Sequence, residues 1–348
     1  MLPPITLKHI QTLTDDTGIL QHAKYAVPNR FEGYCTDDNV RALIVAAKHY
    51  NIFGDALSVE LMKTYMAYTF HSQNEDGTMH NFMDYQRNFL DTISADDVLG
   101  RTLWACGYII SSNSIPFGIR EIARIIFNKG LKHADEFLAT RPIAYSLLGL
   151  YYCIDALSYT RDEIERLANK MLNRYRNSKG PDWEWFEDFM SYANARLPQA
   201  MFLAYDALKM PEYLECAESS LQFLWDEVET AKGVVCIVGN DSWYIRGRHR
   251  ALWDQQAIDV GALVEAFVDA YRITGKPKYH QNARTSFEWF LGNNLLKSPV
   301  YDQTTGGCFD GLSLEKGVNQ NQGAESTIAH LLARLALEEV RRPFQLNS

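Results

Sequence analysis

The chain has 348 residues, 47% of them hydrophobic and 22% charged, with a net charge of −9. An acidic protein without a basic, aromatic-interleaved stripe is a poor partner for nucleic acid or an anionic membrane. No run reaches the roughly 18 apolar residues of a membrane span, and no charged region followed by an apolar stretch opens the chain as in a signal peptide, so a cytoplasmic protein is expected.

No Pro/Gly/Ser-rich linker or low-complexity tract interrupts the sequence, and a single domain over residues 1–348 is predicted. The six cysteines (Cys35, Cys106, Cys153, Cys216, Cys236, Cys308) are widely spaced with no C-x-x-C pair. Reduced, buried thiols are expected.

Two kinds of helical run alternate along the chain. After a short run at Pro4 to Leu13, Val40 to Ala47 is apolar nearly all round, and Ala56 to Phe70 carries a single apolar stripe. Leu99 to Ile110 is again apolar on every side, and Ile119 to Leu138 is one-sided. Ile143 to Leu157 and Arg161 to Lys179 repeat the contrast; the second places Ile164, Leu167, Ala168, Met171, Leu172 and Tyr175 on one face. One-sided runs return at Tyr213 to Val228 and Tyr279 to Leu291. A helix apolar on all sides must be covered on all sides, whereas a single stripe leaves the other face in water. The spacing therefore predicts an all-α fold, a toroid of six inner helices enclosed by six outer ones. The inner starts fall near Asp38, Asp97, Pro142, Ser191, Gln256 and Ala324, and the N-terminal run serves as the sixth outer helix.

Local signals set the edges. Thr36, Asp37 or Asp38 can cap the first inner helix, Pro142 suits a first helical position, and Gly54, Gly130, Gly180 and Gly275 suit helix ends. Gly77 to Asn88 and Gly233 to Tyr244 are predicted as short β-hairpins, the second turning at Gly239-Asn240-Asp241.

Each inner start follows a loop rich in acids, amides and aromatics. The loops include Tyr34-Cys35-Thr36-Asp37-Asp38-Asn39, Ser94-Ala95-Asp96-Asp97, Trp183-Glu184-Trp185-Phe186-Glu187-Asp188, Trp253-Asp254-Gln255-Gln256 and Asn319-Gln320-Asn321-Gln322-Gly323-Ala324-Glu325. Leu13-Thr14-Asp15-Asp16-Thr17-Gly18-Ile19-Leu20-Gln21-His22, the stretch from Gly33 to Leu43, Asn194-Ala195-Arg196-Leu197-Pro198-Gln199-Ala200, Phe287-Glu288-Trp289-Phe290-Leu291-Gly292-Asn293-Asn294 and the stretch from Asn319 to Thr327 resemble a bacterial helical-domain family found alone or fused to glycosyltransferases. The likeness runs from about Leu13 to Ala336, and its double ring is similar to the (α/α)6 barrel of six-hairpin glycosidases. The resemblance implies a carbohydrate-related role and an association with a glycosyltransferase, and points to no particular reaction.

Glycoside hydrolysis needs two carboxyl groups flanking the scissile bond. Acids at inner-helix starts converge on one mouth of the ring, and Asp38, Asp97, Asp188 and Asp254 are the catalytic candidates. Asp38 and Asp97 open consecutive inner helices, and within the six-hairpin fold that the chain resembles, enzymes like the unsaturated glucuronyl hydrolases use two aspartates on such helices; the adjacent pairs Asp37-Asp38 and Asp96-Asp97 resemble those of α-mannanases. The alternative for each acid is a helix cap. Candidate sugar ligands are Asn39, Arg101, Trp185, Glu187, Tyr192, Arg196, Trp243, Arg248, Trp253, Gln256, Asn321, Gln322 and Glu325, which offer paired donors, acceptors and aromatic faces. The tryptophans alternatively plug the ring as core, and Arg246-Gly247-Arg248-His249-Arg250 either binds an anion or pairs with loop acids.

No phosphate-binding glycine loop, dinucleotide fingerprint or metal-ligand spacing occurs, so no cofactor and no metal are expected. His22, His71, His80 and His133 are expected to be structural. Sugar 2-epimerases, which share this barrel, use histidine bases, and only His249 lies near the loops. A glycoside hydrolase acting on an oligosaccharide is the leading expectation, and a glycan-binding accessory module the alternative.

Overall fold

The computed structural model describes residues 2–229 and 233–341. Inner helices are α2 (Thr36–Phe53), α4 (Asp96–Ser111), α6 (Thr140–Tyr152), α8 (Arg196–Leu208), α10 (Ala257–Thr274) and α12 (Ala324–Arg341). Outer helices are α3 (Ala56–His71), α5 (Phe117–Leu131), α7 (Thr160–Ser178), α9 (Pro211–Val228) and α11 (Pro277–Glu288), with α1 (Lys8–Leu13) completing the outer ring. Each inner helix packs on the next, and α12 returns to α2, so the ring closes. Every outer helix lies against the inner helix before it, and α1 lies against α12. The fold is an (α/α)6 toroid.

The burial pattern follows the hydrophobic patterning. Every residue of α4 from Val98 to Ile110 is buried, whereas α7 buries Thr160 and the stripe from Ile164 to Tyr175. Among the described residues no helix is long and apolar enough to cross a membrane. All six cysteines are free and buried. The α4–α6 contact is built on small residues. A Cβ on Gly107 would lie 2.1 Å from the Gly149 carbonyl oxygen, and one on Gly149 would lie 2.3 Å from that of Leu103. Only glycine permits backbones to approach this closely.

Several predicted edges shift. The N-cap of α2 is Cys35, whose Sγ accepts from the Asp38 N–H at 3.4 Å; Thr36 Oγ1 instead donates to the His80 carbonyl at 2.7 Å. This leaves the Asp37 and Asp38 carboxylates for other partners. Pro142 occupies the third position of α6, where its missing N–H is still no loss. α5 ends at Leu131 rather than Leu138, because the N–H groups of His133, Ala134 and Glu136 close tight turns instead. Residues Ser191 to Ala195 form a turn ahead of α8, held by Asn194 Oδ1 accepting from the Ser191 N–H at 3.0 Å.

The first predicted hairpin closes locally between Phe82 and Leu90, with the Leu90 N–H donating to the Phe82 carbonyl at 2.8 Å, and both predicted segments also pair across repeats. In the first segment, β4 (Phe82–Met83) pairs with β3 (Tyr34–Cys35), placing Tyr34 opposite Met83. In the second, β6 (Tyr244–Ile245) pairs with β5 (Phe189–Met190), although the turn at Gly239 forms. These strands stitch mouth loops of different repeats together. Further local hairpins join β1 (Ala23–Lys24) with β2 (Val27–Pro28), and β8 (Gly311–Ser313) with β9 (Gly317–Asn319); β8 also pairs with β7 (Gln255–Gln256).

Candidate active site

The loops ahead of the inner helices frame a cleft at one mouth of the toroid. A chamber of about 300 Å³ is lined by Asp37, Asp38, Arg41, Gln256, Asp310 and Glu325, with Cys35 and His22 also on its wall. It adjoins a chamber of about 630 Å³ through His22 and Asp310, and one of about 470 Å³ through Gln256 and Asp310. Together they have the size of a small-ligand site.

Arg41 organises the acid chamber. Its Nη2 lies 3.1 Å from Asp37 Oδ2, 2.9 Å from Asp38 Oδ1 and 3.1 Å from Glu325 Oε2. Asp37 and Asp38 precede Arg41 by four and three residues, so one helical face presents all three. Glu325 arrives from the first turn of α12, which ring closure sets beside α2. Asp37 Oδ2 is also paired with Arg101 Nη1. Two guanidinium groups thus bear on Asp37. Burial pushes its carboxyl up, but Arg101 and Arg41 outweigh that and hold it below the usual range.

Asp38 is placed differently. It is 4% exposed, and besides its bond to Arg41 it accepts from the Cys35 thiol, which donates to Oδ2 at 3.0 Å. Burial, with Asp37 and Glu325 close by, overcomes Arg41 and pushes its pKa up to about 6. Two adjacent carboxyls therefore differ in proton affinity, the pattern that separates an acid from a permanently ionised group. The Glu325 side chain is 43% exposed and reaches the cleft.

A second cluster continues round the mouth. Tyr192 OH donates to Asp97 Oδ2 at 2.6 Å, and Arg101 Nη2 lies 3.9 Å from the same oxygen. Arg141 donates to the Tyr192 carbonyl at 2.7 Å, to Glu187 Oε2 at 3.1 Å and to Asn194 Oδ1 at 3.2 Å. Asn194 Nδ2 in turn lies 3.4 Å from Asp259 Oδ1. Burial raises the Asp259 pKa to about 7 despite its hydrogen bonds from Asn194 and Ala193 and the nearby Arg141. Asp37 Oδ1 and Arg101 Nε are buried without a hydrogen-bond partner, a condition that costs free energy unless water or a ligand meets them.

The floor is closed. Arg196 Nη2 lies 2.5 Å from Glu265 Oε2 and its guanidinium covers the Trp104 ring at 4.5 Å. Gln199 donates to Asp269 at 2.7 Å, and Lys48 Nζ lies 2.9 Å from Glu339. The lumen is a packed core, so a ligand enters from the mouth alone.

The structure separates the residues singled out from sequence. Asp38, Gln256 and Glu325 line the acid chamber, Asp254 lines the neighbouring one, and Asn321 lines the largest. Asp254 holds a left-handed backbone at φ 57°, a strained conformation for a non-glycine residue. Asp97, Arg101, Tyr192 and Glu187 belong to the second cluster. Asp188 is 78% exposed and pairs with Arg246 on the rim, and Arg248 is exposed.

Four candidates are structural instead. Trp185 is fully buried and offers no face to a sugar. Asn39, also fully buried, accepts from the Ile19 N–H and donates to the Cys35 carbonyl, pinning the loop before α2. Gln322 is buried against Thr305 and Asp302, and Arg196 serves the floor. Trp183 is buried too, leaving Trp243, 40% exposed, and the half-buried Trp253 as the mouth tryptophans.

Other cleft residues lacked a sequence signal. Asp310 lies in an irregular loop, His22, expected to be structural, instead stands on the cleft wall, and the exposed Tyr25 and Phe82 replace the buried tryptophans as aromatic lining. Arg41 was missed as well, although its spacing of four and three residues from Asp37 and Asp38 was a signal that could have found it.

No protein-family model matches the chain, and no curated protein matches it in sequence. Solved structures match over nearly the whole length. A sugar epimerase from a ruminal bacterium superposes with a TM-score of 0.73 at 15% identity, covering 98% of each chain. A D-mannose isomerase gives 0.75 at 13% identity, covering 95% of this chain and 94% of the other. The GH76 α-mannanase of Bacteroides thetaiotaomicron gives 0.65 at 12% identity, covering 95% and 92%. All are carbohydrate-active enzymes on an (α/α)6 barrel, and at these identities the likeness is one of fold.

Proposed function

We propose that this protein is a glycoside hydrolase that cleaves an oligosaccharide in the mouth of the barrel, with Asp38 as general acid and Glu325 as its carboxylate partner. The observation that carries the reading is one nitrogen of Arg41 shared by a buried carboxyl with a pKa near 6 and a cleft-facing carboxylate. Two oxygens bonded to one nitrogen lie within about 6 Å of each other, the scale on which a carboxyl pair flanks a glycosidic bond.

Asp38 protonates the leaving oxygen, and the Glu325 carboxylate attacks the anomeric carbon or activates the water that does. Asp37, held ionised by two arginines, keeps Arg41 in place. Trp243, Tyr25 and Phe82 offer exposed rings for sugar faces.

Incubation with a panel of α- and β-linked oligosaccharides, read by mass, tests the reading. Release of shorter oligosaccharides by wild type and its loss in Asp38→Asn is the expected result. Full turnover by both Asp38→Asn and Glu325→Gln sinks it.

His22 on the cleft wall favours a second reading, sugar epimerisation, in which a base removes a proton beside a carbonyl. Incorporation of deuterium from solvent at C2 of a reducing sugar, without bond cleavage, selects it over hydrolysis.

A further inference from the structure

Beyond His22 and Asp310 the cleft opens into the chamber of about 630 Å³, whose walls include Lys24, Tyr25, Asn29, Lys316, Asn319 and Asn321. The acid chamber gathers carboxylates; this one gathers hydrogen-bond donors. Asn321 Oδ1 already accepts from the Tyr25 N–H at 2.9 Å, and Asn319 Oδ1 from the Asn321 N–H at 3.3 Å. With each Oδ1 so engaged, each side chain keeps its two Nδ2 donors for a ligand.

Lys24 stands on β1 and Lys316 in the turn between β8 and β9. Among the described residues, neither ammonium has an acid or a hydrogen-bond partner. Lys316 also lines the chamber of about 470 Å³, so it commands the junction of the two.

Two acids share these walls, and both have partners. Asp310 Oδ1 accepts from the Gly323 N–H and from Ser326 Oγ, each at 2.8 Å, and burial pushes its carboxyl towards the neutral form. Glu32 Oε1 lies 3.5 Å from Asn29 Nδ2.

We infer that this chamber is a subsite for an anionic sugar residue, one bearing a carboxylate or a phosphate, next to the residue whose bond is cleaved. Ammonium and amide donors give an anionic oxygen charge-assisted hydrogen bonds that a neutral hydroxyl does not gain. The subsite's place beside the scissile bond rests on the hydrolase reading; its ligand chemistry does not.

Titration calorimetry of the intact protein with glucuronate, glucose 6-phosphate and glucose at one ionic strength tests the inference. At least one anion is expected to bind tenfold or more tighter than glucose. The double substitution Lys24→Ala/Lys316→Ala is expected to abolish that margin while leaving glucose affinity and the melting temperature unchanged. Preference for glucuronate assigns a uronic acid, and preference for glucose 6-phosphate assigns a phosphosugar. Equal affinity for all three ligands, or a margin that survives the double substitution, overturns the inference. Binding needs no turnover, so a failure of hydrolysis removes the reading of the acid chamber and leaves this one standing.

Discussion

Asp38 Oδ1 and Arg41 Nη2 stand 2.9 Å apart, yet the carboxyl's pKa is pushed up to about 6. An ion pair ordinarily lowers a carboxyl pKa, and here burial and the neighbouring acids prevail. The arginine is divided among Asp37, Asp38 and Glu325, and Asp37 is further secured by Arg101.

This division predicts the pH profile. A general acid must be protonated, and the protonated fraction of Asp38 falls as pH rises through about 6. kcat/KM on a cleaved oligosaccharide is expected to decline about tenfold per pH unit above that point. Asp38→Asn, measured at pH 5, is expected to lose about 10²–10⁴-fold in kcat with an unchanged circular dichroism spectrum. A profile flat from pH 5 to 8 contradicts the assignment.

Asp259 predicts a stability effect of known sign. Its folded pKa, about 7, lies above that of an unfolded carboxyl, so the folded state holds the proton more tightly. That contribution is fully present below about pH 4 and is lost as pH rises towards 7. Asp259→Asn, which mimics the protonated acid, should not show this loss. Relative to wild type it is expected to gain on the order of 2–4 kcal/mol between pH 4 and 7. Urea midpoints across that range measure it, and a constant difference refutes it.

Close backbone approach makes Gly107 intolerant of a side chain. An added Cβ would lie 2.1 Å from the Gly149 carbonyl oxygen, on a neighbouring inner helix rather than a flexible side chain. Gly107→Ala is expected to destabilise by about 1–3 kcal/mol or more despite the higher helix propensity of alanine. A raised melting temperature would show that α4 and α6 can separate without cost.

Lys48 and Glu339 form a buried pair on the barrel floor, with Nζ 3.1 and 2.9 Å from the two carboxylate oxygens. Lys48→Met leaves the acid buried without its partner and is expected to cost about 3–5 kcal/mol. Lys48→Met/Glu339→Leu is expected to recover most of that loss, because two apolar side chains need no ion pair. Denaturant unfolding of the three proteins decides it; additive losses would contradict the pairing.

The sequence by itself determined the toroid. Hydrophobic periodicity is a local property, and helices apolar all round alternating with striped ones admit few arrangements other than one ring inside another. The same locality sets Asp37, Asp38 and Arg41 on one helical face, a signal that could have found Arg41. It could not separate Trp185, wholly buried, from Trp243, which keeps an open face, because both sit in similar aromatic loops. Nor could it pair mouth loops of different repeats, as β3 pairs with β4 and β5 with β6.

Only the tertiary structure decided the site. Arg41 and Glu325 lie 284 residues apart and meet because α12 closes the ring against α2. Asp310, His22 and Lys316 come from irregular loops that carry no periodic signal, and their positions depend on how the last loops fold over the mouth. The raised pKa of Asp38 arises the same way, since burial and the number of claimants on one arginine exist only once the chain has closed.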